Sequence, residues 1–383
     1  MAQTAEGNVR IEPVGRESRS DLLRFWKAGL PPYDGDPHFV VPLFADCAKR
    51  WRPASAFFRH AEAQHFVAVR DGRDVGRIAA AVDRIQDEVH GDRTGLFGWF
   101  ETEDRRETSS ALLDAAAAWL RDRGRDVVRG PLSYTTNGIS GLLVDDQRPG
   151  PPMVDTAYNP PWYAGHLEAW GLARAKDLLA FCVDVPPATD PRLARITARV
   201  RERGRFTVRA IRTDRKGFDA DVDAVLGIYN QAWERNWGFV PLTPEEIREQ
   251  AEAFRPILVA DLLLFAEQDG RPVAFSLALP DVNAALRAIR GRLWPWSAIR
   301  LALALRRVRR VRVITLGILP EFRRTGLDAT LVFETIERAR RLGITGGECS
   351  WILEDNVPMI QAIRQAGGSL YRTHRIYERP LSQ

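Results

Sequence analysis

The sequence predicts an α/β protein of two similar halves, and three observations carry that prediction. Asp-Gly pairs at Asp71-Gly72 and Asp269-Gly270 each sit between runs of β type, a strong hairpin signal. The two pairs lie about two hundred residues apart and head similar successions of elements, so an internal duplication is the economical account. The third observation is the stretch VRVITLGILPEFRRTGLDATL at 311–331, which reads as a buried strand, a break at Pro320, a basic turn and a helix. A chain of 383 residues is too long for one typical domain. Pro186, Pro187 and Pro191 mark the expected boundary, giving domains 1–190 and 191–383.

In the first half, 65–82 is the hairpin and 95–101 a third strand. A helix is expected over 109–123 with Leu112, Leu113, Ala116 and Leu120 inward, and Val127 and Val128 begin a strand that ends at Gly130-Pro131. The second half opens with a helix at 191–203, a strand at 206–212 and helices at 221–236 and 244–254. A hairpin at 262–279, the strand at 311–319 and a helix carrying Leu327, Leu331, Phe333 and Ile336 at helical spacing follow. A strand at 347–353, a helix at 358–366 and a closing strand at 369–379 complete it.

Composition narrows the function. With 45% hydrophobic and 27% charged residues the chain has an ordinary globular make-up with enough apolar material for cores. The net charge is +5, and lysine appears only at Lys27, Lys49, Lys176 and Lys216, so nearly every cation is an arginine. Such a balance suits anionic partners: coenzyme A, phospholipid or RNA. Cys47, Cys182 and Cys349 have no paired spacing, which points to a reducing compartment. The six histidines lack metal-ligand spacing, so no metal is expected. The first residues resemble neither a signal nor a transit peptide and no apolar run reaches spanning length, so a cytoplasmic protein is expected.

The turn Arg323-Arg324-Thr325-Gly326 outlines an anion site. A helix N-terminus presents amides without intrahelical partners and the positive end of the helix dipole. Glycine lets the backbone approach a ligand, and two arginines add fixed charge. The strand, Pro320, Arg323-x-x-Gly326 and the amphipathic helix resemble the acyl-coenzyme A signature of the GNAT N-acyltransferase superfamily. The resemblance implies two GNAT-like domains, each a mixed, mostly antiparallel sheet flanked by helices. It also implies that acyl-coenzyme A is the co-substrate, held by Ile318, Leu319, Arg323, Arg324, Thr325, Gly326, Leu327, Asp328 and Ala329, with backbone N–H groups near Ile318 and Leu319 meeting the thioester oxygen. Asp328 stands where the family has Gly or Ala. In the first half the corresponding turn, 102–107, is acidic and lacks glycine, which reads as a degenerate copy that no longer holds coenzyme A.

Asn356 and Gly367 keep the family's spacing after the fifth strand, but Ile363 stands where the family often has an acidic tyrosine. Tyr371 and Tyr377, on the closing strand, are the remaining candidates, with packed aromatics as the alternative. Glu348 is the first choice for a base that takes the proton of the attacking amine, with Glu354 and Asp355 behind it. Catalytic candidates are therefore Glu348, Asn356 and Tyr377. The Pro/Gly-rich stretch 145–163 leads to Tyr158-Asn159-Pro160-Pro161, either a rigid connector or a wall of the substrate site. Tyr158, Asn159, Trp237 and Trp294 are the substrate candidates.

Between hairpin and signature, 284–312 carries nine arginines and no acid, with Trp294 and Trp296 around Pro295 and apolar residues at helical spacing. It reads as a helix lying in an anionic membrane interface, as a core-packed helix with a solvated basic face, or as an RNA-facing stripe for which no motif speaks. The interfacial reading makes the amine lipidic and the protein peripheral at the inner membrane face. The Tyr-Asn-Pro-Pro loop and the stretch WILEDN at 351–356 also resemble long tandem GNAT-like bacterial proteins, a group that includes ceramide synthases. The expected activity is N-acyl transfer from acyl-coenzyme A to an amine, with no nucleic acid involved. The alternatives are an aminoacyl-tRNA-dependent transferase of the Fem type, or a module that binds acyl-coenzyme A without turnover.

Overall fold

The computed structural model describes residues 8–202, 206–289, 296, 299, 303–305 and 307–381. These fall into two compact units. The first runs to Asp177 and takes back the chain from Thr373, and the second runs from Leu178 to Arg372.

The first unit contains β1 (Arg10–Val14), α1 (Arg19–Ala28), α2 (Phe44–Trp51), β2 (Ala61–Arg70), β3 (Arg73–Asp83), α3 (Arg84–His90), β4 (Thr94–Thr102) and α4 (Arg106–Arg121). It continues with β5 (Val127–Gly130), β6 (Leu142–Asp146), α5 (Trp162–Ala169) and the start of β7 (Ala173–Asp184). Its sheet runs β1-β2-β3-β4-β5, antiparallel except for the β4–β5 pair. The last strand of the chain then pairs antiparallel with β5, Tyr377 opposite Gly130. Leu112, Leu113, Ala116 and Leu120 of α4 pack with Ile78, Ala80 and Phe97 of the sheet, as the helical spacing predicts.

The second unit takes in the rest of β7, α6 (Pro191–Glu202), β8 (Thr207–Ala210), α7 (Arg215–Trp233), α8 (Pro244–Phe254), β9 (Leu263–Gln268), β10 (Arg271–Pro280) and a helical turn at Asn283–Leu286. Then come β11 (Arg310–Ile318), α9 (Leu327–Arg341), β12 (Gly346–Leu353), α10 (Val357–Gln365) and β13 (Ser369–Pro380), whose second part belongs to the first unit. Its sheet order is β7-β12-β11-β10-β9-β8, with β11–β12 the parallel pair.

The duplication is visible in backbone detail. Both hairpins turn on residues with positive φ, Asp71 (51°) and Gly72 (73°), Asp269 (52°) and Gly270 (78°), the conformation that selects Asp-Gly. Asp126 N donates to Arg93 O at 2.9 Å and Thr345 N to Arg309 O at 2.7 Å, where each parallel pair begins. Glu103 N donates to Val75 O and Leu319 N to Val273 O, both at 3.0 Å, where β4 and β11 end.

Several boundaries differ from the sequence reading. The helix expected from 221 begins at Arg215, because Asp214 caps it, its carboxylate accepting from Gly217 N at 2.8 Å. Asp221 instead lies fully buried and holds Arg209 and Arg212. No element was expected between Tyr163 and Pro186, yet α5 and β7 occupy most of it. The run from Leu178 to Val183 is nearly continuous in apolar character, so it lacks the alternation that reveals a half-exposed strand. In α9 the buried face is Leu327, Thr330, Leu331, Glu334, Thr335 and Ala339, while Phe333 and Ile336 are half-buried.

Candidate functional site

The second unit brings the predicted binding turn and the predicted base into one architecture. β11 and β12 pair in parallel over only four residues, from Arg310 opposite Gly346 to Val313 opposite Cys349. Beyond that point β11 continues beside β10 as far as Ile318, and β12 pairs with β7. Among the described residues, the β12-facing edge of β11 is thus without a strand partner from 314 onward. The register with β10 decides which amides face that edge. Leu319 N is bonded to Val273 O, so alternate residues Ile318 and Leu316 turn their N–H groups away from β10. Of the two amides expected to meet a ligand, that of Leu319 is therefore engaged within the sheet and that of Ile318 faces the opening.

The strand leads through Pro320–Phe322 into the basic turn. Arg323, Arg324, Thr325 and Asp328 are exposed, Ala329 is half-buried and Leu327 is sealed in the core. Arg323 donates to Ala232 O at 2.9 Å and Thr325 Oγ to Phe322 O at 2.7 Å, which fixes the turn. Gly326 caps α9 in the left-handed region at φ 89°, and a Cβ there would stand 3.1 Å from Ile196 Cγ2 and 3.2 Å from Val200 Cγ2 of α6. Thr330 N is the first helix amide to find a carbonyl, Gly326 O at 3.0 Å. The amides of Gly326, Leu327, Asp328 and Ala329 have no such partner among the described residues, the arrangement that favours an anion. Asp328 points its charge to solvent from the first turn.

Glu348 sits on β12 directly opposite Arg312 of β11. Its carboxylate accepts hydrogen bonds from the hydroxyls of Ser350 and Tyr371, and Arg312 Nε lies 3.9 Å from Oε1. Arg312 also donates to Ser350 Oγ at 2.9 Å and to Ser350 O at 3.3 Å, and its guanidinium carbon lies 4.6 Å from the ring centre of Trp351. All four polar residues are buried. Burial, reinforced by the Glu348 charge, pushes the Tyr371 phenol well above its usual value, so it is a neutral donor. Burial together with Glu348 pushes the Cys349 thiol up to about 12, which makes it inert as a nucleophile near neutrality.

The remaining sequence candidates fall elsewhere. Asn356 caps α10, its side chain accepting from Met359 N at 3.3 Å. Tyr377 belongs to the first unit, where it is buried and donates to Glu168 at 3.1 Å. Tyr158 donates to Asp36 at 2.7 Å, and Asn159 bonds both backbone groups of Leu143, at 2.7 and 3.2 Å. These two residues staple loops of the first unit. Glu354 is half-buried and Asp355 exposed; Trp237 is half-buried in the turn after α7, and Trp294 lies outside the described residues. No cluster of metal-ligating side chains occurs among the described residues.

Sequence reasoning missed Arg312, Ser350 and Trp233. Arg312 was hidden in a run of arginines, although a cation inside a buried strand calls for a buried acid. Trp233 stacks on Tyr229 at 4.7 Å and packs against Gly317, where a Cβ would come within 2.7 Å of its ring. That glycine within the signature strand was the available signal.

Two units of this strand order, each with one parallel pair among antiparallel strands and one with a strand–turn–helix whose first amides are open, define a tandem GNAT fold. A tandem GNAT protein from the clavulanic acid biosynthesis pathway superposes with a TM-score of 0.59 at 14% identity, covering 98% of this chain and 99% of that one. A GCN5-related N-acetyltransferase from Sphaerobacter thermophilus does so at 0.54 and 12%, covering 98% and 96%. In sequence, the chain is 33% identical over 382 residues to the bacterial ceramide synthase of Caulobacter vibrioides, with 98% of each covered. It is 32% identical over 371 residues to protein YghO of Escherichia coli, covering 95% of this chain and 94% of the relative. No family model matches. The chain belongs to the tandem-domain bacterial GNAT family that includes these two relatives.

Proposed function

We propose that the protein is an N-acyltransferase that moves an acyl group from acyl-coenzyme A to an amine. The observation that carries this reading is the bare edge of β11 at Leu316 and Ile318, which leads to the open N-terminus of α9. An extended, amide-bearing thioester arm would hydrogen-bond that edge as an added strand, and its pyrophosphate would meet the amides of 326–329 beside Arg323 and Arg324. The amine nitrogen attacks the thioester carbon, the carbon–sulfur bond breaks, and the thiolate leaves. The proton that the nitrogen sheds as the carbon–nitrogen bond forms passes to Tyr371 as the tyrosine's own proton moves to Glu348, and the relay then runs back to deliver a proton to the departing sulfur. Arg312 and Ser350 hold Glu348 in place for that relay and act only as positioning residues.

The amine is long-chain or lipidic in this reading. Two observations support it: the name of the Caulobacter relative, and the exposed apolar residues Trp296, Ile299 and Leu303 within the acid-free basic segment. Such a stripe suits peripheral contact with anionic lipid. No helix among the described residues is long and apolar enough to cross a membrane. The test is thiol release from palmitoyl-coenzyme A and acetyl-coenzyme A with a sphingoid base, a short alkylamine and no amine. Thiol released only with palmitoyl-coenzyme A and the long-chain base, with the amide found by mass spectrometry, supports the reading. Turnover with the short amine alone contradicts the lipidic part, and none with any pair contradicts the whole.

A further inference from the structure

The duplication puts β4 of the first unit and β11 of the second in correspondence, residue for residue. The backbone bonds at their two ends match Arg93 with Arg309 and Glu103 with Leu319, an equal span in each unit. Thr102 therefore stands where Ile318 stands, and Phe97 where Val313 does. In the second unit β12 leaves β11 after Val313, and the edge beyond has no strand partner among the described residues. In the first unit the same edge is filled. Leu132, just past β5, donates its N–H to Phe97 O at 2.8 Å. It runs so close that a Cβ on Gly98 would stand 1.7 Å from Leu132 O, so glycine alone fits there.

Farther along, α5 takes both backbone groups of Thr102 that the pairing with β3 leaves over. The Tyr163 hydroxyl accepts from Thr102 N at 2.8 Å, and Trp162 Nε1 donates to Thr102 O at 3.4 Å. Tyr163 in turn donates to Glu101 at 3.0 Å. Burial, reinforced by the Glu101 charge, pushes its phenol well above the usual value, so it keeps the proton it donates. The turn that follows is shortened as well. Residues 320–326 separate Leu319 from α9, whereas Asp104 and Arg105 alone separate Glu103 from α4. Helix α5 reaches this point too, with His166 Nε2 3.3 Å from Asp104 Oδ1. Trp162, Tyr163 and His166 thus follow, on one helix, the path from strand edge to helix N-terminus that the second unit leaves open.

The Tyr158-Asn159-Pro160-Pro161 loop leads straight into that helix. Tyr158 is tied to Asp36 and Asn159 to both backbone groups of Leu143, while the two prolines restrict the backbone that enters α5. We propose that α5, set in place by this loop, is a built-in occupant of the first unit's copy of the thioester site, so that the chain takes up acyl-coenzyme A in the second unit alone. The last clause rests on the acyl-transfer reading; the closure of the first unit does not.

Hydrogen exchange of the full-length protein, resolved to single amides by mass spectrometry, tests both parts. In the ligand-free protein Thr102 should exchange slowly. Tyr163→Phe keeps the ring that packs against Phe100, and should speed that exchange about tenfold through loss of one hydrogen bond. Asn159→Ala should speed it as well, and unfolding temperatures report whether both variants fold. Palmitoyl-coenzyme A should slow exchange at 316–329 and leave 97–108 unchanged. Slowing at 97–108 on its addition, or equally fast exchange of Thr102 in the wild type and Tyr163→Phe, overturns the closure. Exchange of Thr102 in Asn159→Ala equal to that of the wild type overturns the part given to the loop. Slowing at neither stretch overturns the acyl-coenzyme A reading of the second unit, and the ligand-free exchange of Thr102 then decides the closure by itself.

Discussion

Arg312 faces Glu348 across the parallel register of β11 and β12, each is 2% exposed, and Ser350 Oγ accepts from the one while donating to the other. A carboxylate buried this deeply depends on its cation, because removing one partner of a buried pair leaves an uncompensated charge. Arg312→Met should therefore lose about 3–5 kcal/mol of stability. Adding Glu348→Gln should restore part of that loss. Urea unfolding of the two single variants and the double variant measures the coupling, and additive losses would contradict it.

The relay assigned to Glu348 and Tyr371 separates chemistry from binding. Glu348→Gln and Tyr371→Phe should each lower kcat about 100-fold with little change in the dissociation constant for acyl-coenzyme A. The double variant should be little worse than either single one, since the two groups act as a unit. A fall in affinity with kcat intact would assign them to binding instead.

What the sequence revealed here follows from how local the signals are. The Asp-Gly hairpins were legible because two successive positive φ values select those residues whatever surrounds them. The strand, Pro320, basic turn and helix were legible because each boundary has its own residue chemistry. The partner of Glu348 was not. Tyr371 and Tyr377 lie on the same strand, and they differ in which unit they serve. The division falls between Arg372 and Thr373, so Tyr371 donates to Glu348 in one unit and Tyr377 to Glu168 in the other. Pairing between strands far apart in the chain decides this, and no local pattern encodes it. The roles of Asn159 and Asn356 as backbone staple and helix cap were hidden for the same reason, since an asparagine side chain suits a ligand and a backbone equally.

Gly326 couples the binding turn to α6. Gly326→Ala places a side chain in the left-handed region with contacts of 3.1 and 3.2 Å to Ile196 and Val200. It should lose about 1–2 kcal/mol of stability. It should also weaken acyl-coenzyme A binding more than Asp328→Ala, because Asp328 is exposed and Gly326 shapes the amide cradle. Thermal unfolding and ligand titration on the two variants read both effects.

Asp221 gives the fold an acid-sensitive tie. Burial alone would raise its carboxyl, but hydrogen bonds from Arg209 and Arg212 outweigh this and hold it down to about 2. A carboxylate depressed on folding contributes stability above its unfolded value, and that contribution fades as pH falls toward the folded one. Asp221→Asn should therefore be less stable than the wild type at neutral pH, with the difference shrinking from about pH 4 down to about pH 2. Denaturant unfolding across that range checks it, and a difference that stays constant would contradict it.

Acyl transfer by the second unit requires that an acyl thioester bind along the edge of β11 and at the N-terminus of α9. Calorimetric titration of palmitoyl-coenzyme A into the wild type, Arg323→Glu and Arg324→Glu tests it most directly. One binding event per chain in the wild type, weakened at least about tenfold in both variants through loss of a phosphate contact and charge reversal, is the predicted result. Absence of binding in the wild type, or equal affinity in all three proteins, would contradict it.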